Sequence, residues 1–209
     1  MLQILIIHKV SHDCISLIYY LTNLTFIEEF TVYSDSEIHH ETELGFMIGK
    51  QVDRFYVNNG DWKDYIGGYF LCLDLTDRSL QASFKKKGQP WSLSKCQDNF
   101  MPMSNFIPVS DIDDPHNLDL GLKINGKTVQ SGNTKDMIFD IPFLLEFLSQ
   151  YVTLNEGDMI ITGTPEGVGP VNDKDVLEGY ISENGKTIQT FDFLMHKEPI
   201  PESKFTGKI

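Results

Sequence analysis

Two Asn-Gly pairs, Asn125-Gly126 and Asn184-Gly185, stand between runs in which apolar and polar residues alternate. Asn-Gly is the favoured pair for a two-residue hairpin turn, because both central residues need positive φ. "LDLGLKINGKTVQSG" (118–132) therefore reads as one hairpin, and "ENGKTIQTFDFLM" (183–195) as a second. "GGYFLCLDLT" (67–76) is a near-continuous apolar run and reads as a buried strand with Asp74 near its end. "GDMIITGTPEGVG" (157–169) is a short strand entering a Gly-rich loop, and "ETELGFMIG" (41–49) is a further strand. Two helices stand among these strands. "DRSLQASFKKKG" (77–88) has lysines at its end and a Gly stop, and a second helix begins near Pro142. Many short strands, few helices and no βαβ rhythm predict an α+β fold with a mainly β core.

The 209 residues fit one domain with a substantial core. No repeat or low-complexity linker divides them. Texture does change along the chain: the first 44 residues hold no Gly and no Pro, whereas all 16 Gly and 9 Pro fall from Gly45 onward. The formal charge of −13 gives no electrostatic footprint for nucleic acid and repels anionic membranes. An anionic substrate would need a local cation or a metal. Cys14, Cys72 and Cys96 match no zinc spacing, and an odd count favours a reduced, intracellular compartment. No apolar run approaches the ~18 residues of a membrane span. "CISLIYYLTNLTF" (14–26) lacks a basic flank and a cleavage site, so it reads as core.

Glu41 and Glu43, two apart on a strand, point to one face and repel each other. Asp74, at the end of another strand, adds a third carboxylate. Three hard oxygen donors without His or Cys suit Mg²⁺ or Mn²⁺, with Ca²⁺ possible. The competing reading is three solvated acids. His39 and His40 precede the pair and read as packed or supporting histidines. His8 and His12, one helical turn apart, read as unrelated polar-face residues. The lysines 85–87 read as a solvated face that favours the helix end.

"HHETELG", "GGYFLCLDLTDRSLQ", "KKKGQPWSLSK", "NGKTVQSGNTKDMIF" and "EGDMIITGTPEGVGPV" resemble, in order and spacing, the fumarylacetoacetate hydrolase family, especially its acylpyruvase and oxaloacetate decarboxylase branch. The resemblance covers roughly His39 to Phe193 and implies a mixed β-sandwich roll, usually a homodimer. It divides the chain into a divergent segment, 1–38, and a catalytic domain, 39–209. It makes Glu41, Glu43 and Asp74 the metal ligands, turns Arg78 and Gln81 toward the site, sets Lys95 against the substrate and gives Thr164 the substrate carboxylate. Lys95 and Gln81 would be catalytic. The implied substrate is a small 2-oxo acid, in mitochondrion or cytosol. The implied reaction is Mg²⁺-dependent cleavage of a C–C bond in 3-acylpyruvates or decarboxylation of oxaloacetate, with the cation polarising the 2-keto group. An oxaloacetate tautomerase, or a non-catalytic protein that binds metal and oxo acid, is the alternative.

One part of the family pattern is missing. The branch carries a "GRNY"-like stretch and then a His-x-x-Glu lid pair that manages water or a proton. Here the only such spacing in this region is His40 to Glu43, and Glu43 belongs to the carboxylate trio. His8, His12, Glu28 and Glu29 are the spare groups. Decarboxylation of a chelated β-keto acid needs an electron sink, whereas hydrolysis also needs a positioned base. The sequence therefore predicts decarboxylation ahead of hydrolysis.

Overall fold

The computed structural model describes residues 6–7, 29–56 and 60–201. Among these the chain forms, in order, β1 (Ile6–Ile7), β2 (Glu29–Tyr33), β3 (Ile38–His40), β4 (Thr42–Ile48), β5 (Ile66–Leu73) and β6 (Thr76–Asp77), then α1 (Arg78–Lys87) and α2 (Ser92–Lys95). β7 (Asp119–Ile124), β8 (Lys127–Asn133), α3 (Ile141–Ser149), β9 (Met159–Ile161), β10 (Gly169–Val171), β11 (Val176–Glu183) and β12 (Lys186–Glu198) follow. Three sheets result, ordered β1-β9-β4-β5, β10-β3-β6 and β2-β12-β11-β7-β8; the first two are antiparallel and the third is mixed, through the parallel β12–β2 pair. The α+β, mainly β architecture read from the sequence is the one observed.

Both Asn-Gly pairs turn hairpins. Asn125 and Gly126 have φ of 52° and 77°, and Asn184 and Gly185 have 51° and 77°. Those positive values match the right-handed twist of the strands they join, β7 to β8 and β11 to β12. β2 adds to the same sheet in parallel beside β12, so residues ahead of position 38 contribute to it.

The main core lies between the sheets, where Phe46, Leu71, Leu73, Leu122, Leu177 and Ile181 are fully buried. Each such side chain contributes about 1.5–3 kcal/mol. A second cluster covers the other face of β5: Phe70, Cys72, Met159 and Ile161, with Met101, Met103 and Phe106 against them. Burial on both faces explains why β5 reads as a continuous apolar run rather than an alternating one. Gly45 is required by that packing, because a Cβ there would enter the Phe70 ring.

Two local devices place the site. Asp74 follows β5 directly, and its N–H donates to the Glu41 carbonyl at 2.8 Å, which ties two candidate ligands together by backbone. Asp77 then caps α1, accepting from Leu80 N at 2.8 Å, and Gly88 ends the helix at φ 65°. The strand expected over 41–49 is β4, Thr42–Ile48, and Glu41 stands just ahead of it. β3 and β4 belong to different sheets, and Glu41 occupies the break between them. The chain passes from one sheet to another here, and the break falls on this candidate ligand. Residues 14–26, His8, His12 and Glu28 lie outside the described residues. Glu29 is exposed on β2, where it pairs with His196 at 3.3 Å.

Candidate metal centre and active site

Glu41, Glu43 and Asp74 each offer an oxygen within 4.8 Å of the others. The trio is all-carboxylate, sits at the converging ends of β4 and β5, and fits a hard divalent cation. Glu43 and Asp74 are buried, at 2% and 3% exposure. Glu43 accepts from the N–H of Gly163 at 2.7 Å. Gly163 has φ 96°, a conformation that aims this N–H at the carboxylate and that an L side chain rarely adopts. The Gly-rich loop thus reaches the cage through its backbone.

Lys95 ends α2 at 2% exposure, and its Nζ donates to Asp74 at 2.5 Å and Glu41 at 2.8 Å. Arg78, at the start of α1, also bonds Glu41. Burial pushes the Glu41 carboxyl up, but Lys95 and Arg78 outweigh it and hold it below the usual range. Burial raises Asp74 to about 6 against the pull of Lys95, with Glu41 adding to the rise. Burial, then Asp74, pushes Glu43 well above the usual range, since Lys95 opposes this only weakly. The cage therefore has an asymmetry. Glu41 holds two cations, and Glu43 has none in ion-pair contact among the described residues.

A cavity of about 700 Å³ opens on Glu41 and Glu43. Arg78, Gln81 and Thr164 line it, so the structure brings these expected residues together. Asp74 and Lys95 are not among the lining residues; they sit buried against Glu41. Gln81 Oε1 accepts from Arg78 at 3.0 Å. That bond fixes the amide, leaving its NH₂ to be presented as donor. The solvated reading of the lysines at 85–87 holds for exposure but misses a contact: Lys85 lines this cavity and lies over the Trp91 ring, 5.2 Å from its centre.

Gln130 on β8 is the residue that sequence reasoning missed. It is 1% exposed and joins three parts of the site. Its Oε1 accepts from Thr42 N at 3.0 Å, and its Nε2 donates to Thr164 Oγ1 at 2.8 Å and Pro165 O at 2.9 Å. A backbone N–H and a backbone carbonyl at opposite ends leave one amide orientation only. His40 Nδ1, 2.7 Å from the same Oε1, must then carry the proton. Burial lowers the pKa of His40, so the ring is neutral with Nε2 free of its proton. His39, by contrast, faces Glu37 at 2.5 Å. Neither histidine lines the cavity. The Thr164 hydroxyl donates to Thr42 O at 2.8 Å, so its own proton is already committed. A polar residue in a hairpin strand carries no sequence signal for such a hub, because it lies 88 positions from Thr42.

Carboxylates gathered at converging strand ends in a mainly β fold define a candidate centre for a hard divalent cation. The family description "Fumarylacetoacetate (FAA) hydrolase C-terminal" matches residues 10–192, and the chain belongs to that family. It is 47% identical over 154 residues to the human mitochondrial oxaloacetate tautomerase, covering 74% of this chain and 68% of the relative. It is 43% identical over 162 residues to the mitochondrial oxaloacetate decarboxylase of Dictyostelium discoideum, covering 78% and 73%. The match spans 64% of the length of the mouse tautomerase and 59% of the Arabidopsis thaliana one. Among solved structures it resembles the fumarylpyruvate hydrolase of Pseudomonas aeruginosa in complex with Mn²⁺ and pyruvate. The TM-score is 0.75 at 28% identity, over 82% of this chain and 72% of that one.

Proposed function

We propose that this chain is a divalent-metal-dependent enzyme acting on oxaloacetate, with decarboxylation to pyruvate as its principal reaction. The observation that carries the reading is the cage itself: three carboxylate oxygens within 4.8 Å, in a chain that otherwise repels anions. A cation held by Glu41, Glu43 and Asp74 would supply a Lewis acid for the 2-keto group, Mg²⁺ or Mn²⁺ serving best. The Mn²⁺ and pyruvate of the Pseudomonas relative support that choice.

The chain's own residues supply the rest. Gln81 presents two N–H donors to an oxygen on which negative charge develops. Arg78 brings a guanidinium to the mouth of the cage, where a substrate carboxylate can share it with Glu41. Lys95 holds an ammonium against Asp74 and Glu41, a local positive charge in an acidic protein. Thr164 meets a carboxylate through its hydroxyl once that group turns from Thr42 O.

Loss of CO₂ needs no base; among the described residues the lining groups that could serve as one are carboxylates, Glu41 and Glu43 of the cage with Asp136 and Glu166, and not a histidine. Hydrolysis of acetylpyruvate asks for a base to activate water, whose absence costs 10²–10⁴-fold. Keto–enol interconversion of oxaloacetate is the second reading, favoured by the name of the human relative. The mitochondrial names of the relatives support a mitochondrial or cytosolic setting, and no helix among the described residues is long and apolar enough to cross a membrane. The homodimer implied by the family resemblance belongs to the same proposal.

Purified protein with Mn²⁺ and oxaloacetate tests the reading, following the enol absorbance and pyruvate together. Cation-dependent pyruvate formation that Asp74→Ala abolishes is the expected result, with acetylpyruvate at least 10²-fold slower. Enol loss without pyruvate would replace decarboxylase by tautomerase. Oxalate binding with neither change would make the chain a binding protein.

A further inference from the structure

We propose that Lys85, held over Trp91, forms an anion subsite at the far end of the cavity and selects 2-oxo acids that bear a second carboxylate. The inference rests on the reading of the cage as the 2-oxo acid site. Arg78, Gln81 and Lys85 are spaced three and four apart on α1, so they share one helix face, and all three line the cavity. Arg78 is bonded to the cage through Glu41. Lys85 lies two turns on, about 10 Å along the axis at 1.5 Å per residue. The Lys85 ammonium lies over the ring of Trp91, which lines the same cavity. Gln81 stands between Arg78 and Lys85. The face is thus a row of donors along which an extended acid would lie.

Charge decides what the far end accepts. The lining carboxylates are Glu41, Glu43, Asp136 and Glu166, and the lining cations are Arg78 and Lys85. Arg78 is already paired with Glu41. Lys85 makes no ion pair with a carboxylate among the described residues; its contact is the Trp91 ring. A ring face restrains the ammonium without neutralising it. Among the other lining residues Leu120, Met137 and Ile138 are apolar, whereas Ser131, Asn133 and Thr134 are polar and uncharged. An uncharged acyl tail can meet the apolar residues, but without Lys85 a distal carboxylate would find no lining cation other than Arg78, which is paired with Glu41. Lys86 and Lys87 continue the run outside the lining, so the run itself is not the signal; the placement of its first member is.

The test is calorimetric binding to the full chain loaded with Mn²⁺. 2-Oxoglutarate and 2-oxovalerate have the same five-carbon chain and differ in the distal carboxylate; oxalate reports the cage alone. Wild type should favour 2-oxoglutarate, and Lys85→Met should lower that preference by about two- to fivefold, the range of an exposed ion pair. Oxalate affinity should change no more than it does in Lys86→Met, which removes the same net charge. Lys85→Arg should restore the preference. An unaltered ratio in Lys85→Met, or an equal loss in Lys86→Met, overturns the subsite while leaving the cage intact. Failure of oxalate to bind in wild type overturns the cage reading and the subsite with it.

Discussion

Lys95→Met removes the ammonium that the cage holds. The side chain is 2% exposed, and its Nζ lies 2.5 Å from Asp74 and 2.8 Å from Glu41. Methionine nearly fills the space, so packing changes little and the loss is electrostatic. Taking one partner from a buried pair costs about 3–5 kcal/mol, because the remaining charge is left without compensation. Proton uptake by the carboxyls caps the loss, so the lower end of that range is expected. For a chain of this length about 3 kcal/mol lowers Tm by roughly 6–12 °C. The same reasoning fixes the response to metal. In wild type an incoming cation would have to displace or repel an ammonium already lying on two of its three candidate ligands. In the variant it meets bare carboxylates. Saturating Mn²⁺ stabilises by about 2.7 kcal/mol at a hundred times Kd, and a tighter site gives more at the same concentration. Scanning calorimetry with and without Mn²⁺ should therefore show a lower metal-free Tm and a larger metal-induced rise in Lys95→Met. Lys174→Met is the control, since its partner Asp173 is 3.9 Å away and the lysine side chain is 76% exposed. It should cost less than about 1 kcal/mol. A Lys95→Met protein that melts with wild type and gains no more from Mn²⁺ would refute the compensation argument.

Gln130→Leu strips acceptors and donors from Thr42 N, His40, Thr164 and Pro165 at once, so stability should fall by about 2 kcal/mol or more. Oxalate affinity should drop more than Mn²⁺ affinity, because the Thr164 loop loses its tether while the cage keeps its backbone bond from Asp74 to Glu41; calorimetric titration of both ligands separates the two. His116 Nε2 accepts from Ile141 N at 3.2 Å at the start of α3, and burial holds its pKa below the ordinary 6.5 although Asp140 and Asp114 pull it up. The folded state thus binds fewer protons than the unfolded one, and stability should fall as pH drops below about 6.5; His116→Asn should flatten that slope in denaturant titrations from pH 7.5 to 5. Gly167→Ala should destabilise the loop, since φ is 99° and a Cβ would run into Val129 O; a Tm within 1 °C of wild type would show that the loop relaxes freely.

Elements were legible where chemistry is local. The Asn-Gly hairpins, the Gly88 stop of α1 and the burial of β5 each follow from residues within a few positions of one another. The carboxylate trio was legible for a different reason. Like charges at Glu41 and Glu43 conflict with a half-buried strand unless something resolves the conflict, and such a local inconsistency marks a working site. The strand break at Glu41 was not legible. It depends on β10 and β6 taking β3 away from the sheet that β4 joins, a choice made by residues 36 and more positions away.

What the sequence concealed most completely was the difference between facing the cavity and supporting it. Lys85 and Lys95 both lie in "KKKGQPWSLSK", ten positions apart; the sequence reading sets Lys95 against the substrate and leaves Lys85 on a solvated face. The fold separates them. α1 ends in the αL turn at Gly88, the chain reverses through Trp91, and the short α2 drives Lys95 into the core against Asp74. Lys85 stays on the helix surface, pinned to that same Trp91. The reversal assigns one lysine to the carboxylates beneath the substrate and the other to whatever the substrate carries at its far end. A single tryptophan at the turn serves both, as the end of one helix's reach and the beginning of the next. Trp91→Leu should for that reason loosen the Lys85 subsite before it disturbs Lys95, whose two short ion pairs hold it without the ring. The preference for 2-oxoglutarate over 2-oxovalerate should fall while the response of Tm to Mn²⁺ persists. Loss of both together would mean that the ring orders the whole 88–95 segment, and that the two lysines are not independently placed.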